Sequence, residues 1–198
     1  MPDISYRSRK TEFRAEPPAD GQPYLIEGYF VVFGQPYYVD DYCEEVIDRH
    51  AFDNAVMNDV RALIDHNSRL VLGRRNETVQ TLDFEIDDTG VYGRIQINPD
   101  DTDAMSLRAR VLRGDVDQAS FGFIERAGGW EFEDLPDGRV RRRVFDIAEL
   151  LELTVCTFPA YEQTSVSARS RNGDALRKDL TKHKVTKLRR KLKHYGKK

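Results

Sequence analysis

Histidine is the first residue type to consider for catalysis, because its side chain takes up and releases protons near neutral pH. The chain has four, His50, His66, His183 and His194. The last two lie in a basic C-terminal segment, where no fixed geometry is expected. His50 stands at a predicted helix start, which favours a surface or capping role. His66 ends the apolar run 62–66 and is expected at a rim of the fold. On these residues alone, a structural role for His66 is favoured over that of a general base.

A candidate nucleophile, Ser120, lies in the run 119–123, whose sequence is ASFGF. Strand alternation places Phe121 and Phe123 on one face and Ser120 and Gly122 on the other. Because Gly122 has no side chain, a substrate backbone could come close to the serine there. A serine becomes nucleophilic only beside a base that a third group orients. Without those partners, an ordinary strand serine is the favoured interpretation.

The third candidate is Glu152, a carboxylate embedded among leucines in the run 146–161. Strand alternation places it on the same face as Thr154 and Cys156. A carboxylate in such company is seldom buried without a partner, so a structural role bonded to the backbone or to an arginine is as plausible as a catalytic one. Cys156 paired with His66 is a rival nucleophile, but an apolar strand raises the pKa of a thiol and disfavours it.

Patterns that bind cofactors are missing from the sequence. There is no glycine-rich nucleotide or phosphate loop, and no grouping of His, Asp and Glu has metal-ligand spacing. The two cysteines, Cys43 and Cys156, form neither a Cys-x-x-Cys pair nor a disulfide framework. We therefore expect no cofactor, no metal and a reducing compartment such as the cytosol.

The elements that must position these residues are mainly strands. Hydrophobic periodicity predicts strands, a β-hairpin and two helices. The predicted strands are 24–33, 62–66, 78–86, 91–97, 116–124 and 144–158. The predicted helices are one starting at Asp48 and one over 101–112 with Gly114 closing it. Six or seven strands without regular β-α-β alternation predict a mainly β fold of the α+β type, a barrel or sandwich with helices packed outside.

The length of 198 residues and the charge distribution divide the chain into three parts. Residues 1–23 are charged and proline-rich and are expected to be a flexible arm, and 24–169 form the folded domain. Residues 170–198 hold 12 Lys or Arg against 2 Asp, a charge of +10, which leaves −13 on the rest. Apolar residues spaced by three to five positions from Leu176 to Tyr195 predict a basic amphipathic helix. No stretch is apolar enough for a membrane span or a signal peptide.

Three segments, in this order, resemble the prohead, or procapsid maturation, protease family of tailed bacteriophages, which is distantly related to the herpesvirus assemblins. They are Leu63-Ile64-Asp65-His66-Asn67 followed by Leu72-Gly73-Arg74, then the ASFGF run, then residues 150–161, LLELTVCTFPAY. The likeness covers roughly residues 24–169. It implies a serine endopeptidase with a small antiparallel β-barrel, assemblin-like and flanked by helices.

The resemblance also implies roles for the three candidates. His66 would be the general base and Ser120 the nucleophile, and the family's acidic third member would fall on Glu152. Thr154 stands where the family often has serine. Glu149 and Asp146 remain alternatives for the acidic position. No residue in the sequence identifies the oxyanion hole.

The resemblance implies a setting as well. The substrates would be the scaffold and the N-terminal delta domain of the major capsid protein, cut inside the procapsid in the host cytoplasm, and the enzyme would also process itself. By analogy with assemblins it would form a homodimer. The basic helix is expected to dock on an acidic, helical scaffold.

Two other functions compete with the protease. One is a non-catalytic assembly factor that associates with capsid or scaffold and uses Ser120 and His66 only as structure. The other is a nucleic-acid binder acting through the tail, which the acidity of the main body opposes. We expect neither a membrane nor a specific nucleic acid as partner.

Overall fold

The computed structural model describes residues 4–16, 18–158, 178–187 and 189. These residues form twelve strands, one long helix and a C-terminal helical run, α2, over 178–187. The elements before α2 are β1 (Ile4–Lys10), β2 (Tyr24–Val32), β3 (Tyr37–Asp40), β4 (Cys43–Ile47), β5 (Val60–Ile64), β6 (Asn67–Arg75), β7 (Leu82–Ile86), β8 (Gly90–Ile97), α1 (Thr102–Arg113), β9 (Gln118–Glu125), β10 (Trp130–Asp134), β11 (Val140–Val144) and β12 (Ile147–Cys156).

The strands form three hydrogen-bonded sheets. Their strand orders are β1-β9-β12-β5-β6, β10-β11-β4-β3 and β2-β8-β7. The prediction of a mainly β fold is correct, but these sheets do not close into one barrel. The pairing is also not wholly antiparallel, because β12 runs parallel to β5 and β11 runs parallel to β4. Periodicity reports that a segment is a strand, whereas partner and direction depend on contacts between distant segments.

Several predicted elements are present. The hairpin of β7 and β8 turns at Asp87, whose Oδ1 accepts hydrogen bonds from the amides of Thr89 and Gly90 at 2.7 and 2.9 Å. Helix α1 begins at the N-cap Asp101, whose side chain accepts from the amides of Asp103 and Ala104. It ends at Gly114, which has a positive φ of 84°.

The helix predicted from Asp48 is wrong. Residues 49–54 form consecutive turns, in which the Ala51 amide donates to the Asp48 carbonyl at 3.0 Å and the Ala55 amide to the Phe52 carbonyl at 3.1 Å. The chain then straightens, and Val56 exchanges backbone hydrogen bonds with the β12 strand. The amide and carbonyl of Val56 are hydrogen-bonded to the sheet, so they are not available for a further helical turn.

The N-terminal residues differ from the expected flexible arm. Residues 4–10 form β1, an edge strand of the five-stranded sheet, and Ser5, Arg7 and Ser8 are buried there. Arg7 pairs with Glu45 and Lys10 pairs with Asp117, and composition cannot reveal partners so far away in the chain.

The core lies between the sheets. Phe121 and Phe123 project from β9 and stack with centroids 5.0 Å apart, and Phe30 and Leu153 are fully buried near them. The face of β9 that carries Ser120 is therefore the opposite one, as strand alternation predicts.

Helix α2 packs on the four-stranded sheet. Leu180 is buried against Cys43, Val140 and Phe132. Lys187 forms an ion pair with Asp134 at 2.7 Å. Leu176, Leu188, Leu192, His194 and Tyr195 of the predicted basic helix lie outside the described residues. Among the described residues, no helix has both the length and the apolar composition that crossing a bilayer requires.

Candidate active site

The three candidate residues lie on neighbouring strands of the five-stranded sheet. In the register of β9 and β12, Ser120 lies opposite Thr154, and Gly122 opposite Glu152. Because β12 pairs in parallel with β5, the end of β5 at Ile64 lies beside Val155 of β12, and His66 follows that end by two residues. The sheet therefore collects a serine, a carboxylate and a histidine from positions far apart in the sequence.

A tight turn presents His66. Strand β5 ends at Ile64, which pairs with Asn67, so that Asp65 and His66 form the two central residues of a hairpin. Their φ angles are 47° and 56°, the left-handed values that a type I′ turn requires at both positions. The predicted strand 62–66 thus ends two residues early, because the turn places the histidine ring outside the strand.

Asp65 fastens this turn to the end of β12. Its amide donates to the Val155 carbonyl at 3.1 Å, and its Oδ1 accepts from the Thr157 amide at 2.8 Å. Since aspartate tolerates the left-handed region better than most residues, Asp65 suits both the turn and the attachment. The position of His66 relative to β12 is set by these contacts.

His66 and Glu152 are in direct contact. Nδ1 of the ring faces Oε1 of Glu152, and Thr154 Oγ1 donates to the same carboxylate oxygen at 3.0 Å. The two side chains are 23% and 13% exposed, so solvent screens the pair only partly. Carboxylate contact with Nδ1 fixes the ring tautomer that leaves Nε2 free to accept a proton.

The other two acidic candidates face elsewhere. Asp146 Oδ1 accepts from Arg126 Nε at 2.9 Å, and Glu149 lies opposite Ile124, three residues before Glu152 in β12. Of the three carboxylates considered, Glu152 is the one that the structure places on His66.

Ser120 is not joined to His66 in this arrangement. Its side chain is fully buried, and its Oγ donates to the Arg7 carbonyl of β1 at 3.0 Å. The Nε2 atom of His66 is buried and has no hydrogen-bond partner among the described residues. The Tyr6 ring packs edge-on against the imidazole, with centroids 4.4 Å apart. The structure thus places Glu152 in contact with His66, whereas the hydroxyl of Ser120 is hydrogen-bonded to the backbone of β1.

The remaining candidates have other surroundings. Burial raises the pKa of the Cys156 thiol to about 12, which opposes a thiolate nucleophile at neutral pH. His50 is exposed and contacts Asp53 at 3.0 Å, and His183 lies 3.6 Å from Asp134. In the part of the chain that the structure describes, no cluster of His, Cys, Asp or Glu side chains could hold a metal ion.

Sequence reasoning missed the contributions of β1 and of the turn. Tyr6 and Arg7 fall in the segment expected to be a flexible arm, and nothing in the sequence around Asp65 distinguishes it from an ordinary neighbour of His66. Burial of the Tyr6 ring, and secondarily the charge of Glu152, raises the pKa of its hydroxyl, which therefore stays neutral beside the carboxylate. The one available signal was the alternation of side chains in Ile4–Lys10, ISYRSRK, which is short and mostly polar.

Comparison with known proteins identifies the family. The model of the caudovirus prohead serine protease family matches residues 9–179. The prohead protease of Enterobacteria phage HK97 is 30% identical over 172 residues, which cover 85% of this chain and 70% of that protein. The capsid assembly protease of bacteriophage T4 has a solved structure that aligns with a TM-score of 0.45 at 13% identity, covering 77% of this chain and 98% of that one. By the extent of the family match, this chain belongs to the caudovirus prohead serine proteases.

Proposed function

We propose that this capsid maturation protease uses Ser120 as its nucleophile, His66 as its general base and Glu152 as the group that orients the base. The observation that supports these roles most directly is the contact of Glu152 with His66 Nδ1 on the face of the sheet that carries Ser120. Thr154 supports the carboxylate from the position directly opposite the serine.

The chemistry follows from this geometry. With Nδ1 protonated against Glu152, Nε2 accepts the Ser120 proton as the hydroxyl oxygen attacks a peptide carbonyl carbon. The protonated ring then gives that proton to the departing amine, and an acyl-enzyme remains. Water, deprotonated by the same Nε2, hydrolyses the ester and regenerates Ser120. Glu152 stabilises the imidazolium that exists between these steps.

The proposed substrates are the scaffold and the delta domain of the major capsid protein, and the enzyme also cleaves itself. It acts within the procapsid in the host cytoplasm and works as a homodimer with an assemblin-like arrangement of its catalytic domain. The support for these substrates and for action in the procapsid is the family membership, together with the similarity to the prohead protease of phage HK97. Neither a cofactor nor a nucleic acid takes part in this proposal.

The test is co-expression with the capsid and scaffold proteins encoded beside the protease, followed by intact-mass spectrometry of every chain. We expect capsid or protease fragments with the native chain and with Ser68→Ala, an exposed serine of β6 that serves as control, and none with Ser120→Ala. Assembled shells with identical, uncut masses in all three samples would refute the endopeptidase and favour the assembly factor. Circular dichroism of Ser120→Ala checks that the variant is folded.

The basic tail is proposed to carry the enzyme into the assembling shell by docking on an acidic, helical scaffold. The support for this proposal is the charge of +10 on residues 170–198, and Lys187 of α2 already pairs with a carboxylate, that of Asp134, at 2.7 Å. Deletion of residues 170–198 should abolish encapsidation and leave the main body folded. Unchanged encapsidation of the truncated chain would contradict the proposal.

A further inference from the structure

Strand β1 covers the edge of β9 that carries Ser120. In their antiparallel register, Ser8 lies opposite Ser120 and Tyr6 lies opposite Gly122. Proteins commonly bind extended peptides by adding a strand to a sheet edge, where main-chain hydrogen bonds give affinity and side-chain pockets give specificity. In this structure the chain's own residues 4–10 take that position beside the serine.

The contacts of β1 engage the serine hydroxyl and enclose the histidine ring. The Ser120 hydroxyl donates its proton to the Arg7 carbonyl instead of to His66, and the serine side chain has no exposed surface. Tyr6 packs on the His66 ring, whose Nε2 is enclosed without a hydrogen-bond partner. A peptide carbonyl cannot reach Ser120 until β1 moves away from β9.

The side chain of Arg7 occupies a built pocket on the other face of β9. Its Nη2 donates to Glu45 Oε2 at 2.9 Å and lies 3.5 Å from Glu125 Oε1, and its guanidinium stands 5.4 Å from the centre of the Phe123 ring. Glu45 is fully buried, and Arg142 bonds both carboxylates at 2.5 Å. The two arginines balance the two glutamates.

Removal of Arg7 would leave this pocket with one uncompensated negative charge. A buried carboxylate without its partner is strongly destabilised, so the vacated pocket favours another cation. The guanidinium and ammonium groups of arginine and lysine are the side chains that meet this demand. The region matched by the family model starts at residue 9, so Tyr6 and Arg7 lie outside it.

We propose that β1 occupies the position of the substrate strand, and that the site takes an extended peptide whose arginine or lysine fills the Glu45 and Glu125 pocket in place of Arg7. This inference rests on the proposed function, because it assumes that Ser120 is the nucleophile. Release of β1 from β9 is then a step that precedes cleavage, and the protease is latent while β1 is bound.

A reversible disulfide tests whether β1 must leave. Ile4 and Ile124 are cross-strand partners at the end of β1 that is remote from Lys10, and cross-strand spacing suits a disulfide. In the full-length I4C/I124C variant, the oxidised bond tethers β1 at both ends. We expect a fluorophosphonate to label Ser120 at least about tenfold more slowly in the oxidised form, and reduction to restore the rate. The labelling rate scales with the fraction of molecules in which β1 has left β9. Equal rates in the two forms would overturn the proposal.

Paired arginine substitutions test the pocket. Arg7→Ala and Arg9→Ala remove the same charge from the same strand. Among the described residues, Arg7 bonds to Glu45 in the pocket, whereas the side chain of Arg9 donates to the carbonyl of its neighbour Lys10. We expect faster labelling of Ser120 in Arg7→Ala and the native rate in Arg9→Ala. Faster labelling in both variants or in neither would contradict the role of the pocket. If Arg7→Ala fails to fold, Arg7→Lys, which keeps the charge but loses the two-pronged contact, gives the same comparison.

The masses of the capsid fragments test the substrate class. We expect the residue whose carbonyl is attacked to be arginine or lysine, and cuts after acidic or apolar residues would refute this. The two proposals fail in different ways. If neither labelling nor cleavage depends on Ser120 in any variant, the proposed function fails, whereas Ser120-dependent activity that is unaffected by the disulfide overturns only the role of β1.

Discussion

Replacement of Gly122 by alanine should disable catalysis more than it weakens the fold. A Cβ at this position would lie 2.7 Å from Glu152 Cγ and 2.9 Å from Tyr6 Cε1. Ordinary carbon contacts begin near 3.4 Å, so Glu152 must retreat by about 0.7 Å. The carboxylate that contacts His66 is then displaced by about a quarter of a hydrogen-bond length.

The expected loss can be estimated from that displacement. A misplacement of about 1 Å in a catalytic constellation can cost about 10²-fold, and a shift of about 0.7 Å should therefore reduce kcat by roughly 30- to 100-fold, or about 2 to 3 kcal/mol of activation free energy. Overpacking of this kind costs about 1–3 kcal/mol of stability, which a thermal unfolding curve would report.

The assay is the rate of Ser120-dependent cleavage of co-expressed capsid protein, followed by intact mass and normalised to folded enzyme. Gly28→Ala is the matched control, because a Cβ in this strand would meet Phe13 at 3.0 Å and the Glu12 carbonyl oxygen at 3.2 Å, and no site residue. We expect the control to lose stability without a comparable loss of kcat. A native cleavage rate in Gly122→Ala would refute the argument that this glycine makes room for Glu152.

Four further outcomes are expected. Asp65→Ala should lower stability by about 1–3 kcal/mol and reduce kcat, because the turn loses its acceptor for the Thr157 amide, and Asp65→Asn should retain both properties in urea unfolding and cleavage assays. Thr154→Val should reduce kcat by about tenfold, because it loses the hydrogen bond to the Glu152 carboxylate, whereas Thr154→Ser keeps the hydroxyl and should keep the native kcat. Equal rates for the two variants would contradict this role of Thr154. Cys156→Ala should keep cleavage within about threefold of native, and a complete loss in a folded variant would revive the thiol nucleophile. Burial alone would raise the pKa of Glu45, but the charges of Arg7 and Arg142 outweigh the burial and hold this pKa below the ordinary value of 4.5. The ionised Glu45 therefore stabilises the fold above about pH 4.5, and this stabilisation is lost as the pH falls through the folded-state pKa. The free energy of unfolding between pH 6 and pH 3 should therefore fall less steeply in Glu45→Gln than in the native chain, and parallel curves would show that Glu45 does not carry this dependence.

The local features of the site were predictable from sequence. Alternation in β9 assigns Phe121 and Phe123 to the core and Ser120 to the opposite face, because successive strand side chains must point to opposite sides. Helix α1 and the β7–β8 hairpin were predictable for the same kind of reason, since capping aspartates and glycines act on backbone groups a few residues away. The short motifs around His66, Ser120 and Glu152 selected the three candidate residues through their resemblance to a family.

Tertiary structure decided everything that depends on distant partners. The contact between His66 and Glu152 joins positions 86 residues apart, and it exists because β12 pairs in parallel with β5 and a left-handed turn follows β5. Local periodicity carries no information on which strands pair, since pairing is decided by the burial of whole faces and by chain connectivity.

The N-terminal strand shows the same limit. Residues 4–10 fall in a segment, 1–23, that is charged and proline-rich and was expected to be a flexible arm, yet Arg7 contacts Glu45 38 positions away and β1 covers Ser120. The sequence by itself determined which residues could do the chemistry and on which face of β9 the serine stands. Only the folded chain decided that the carboxylate meets the histidine and that β1 covers the serine, because both depend on strands that are remote in sequence and adjacent in the sheet.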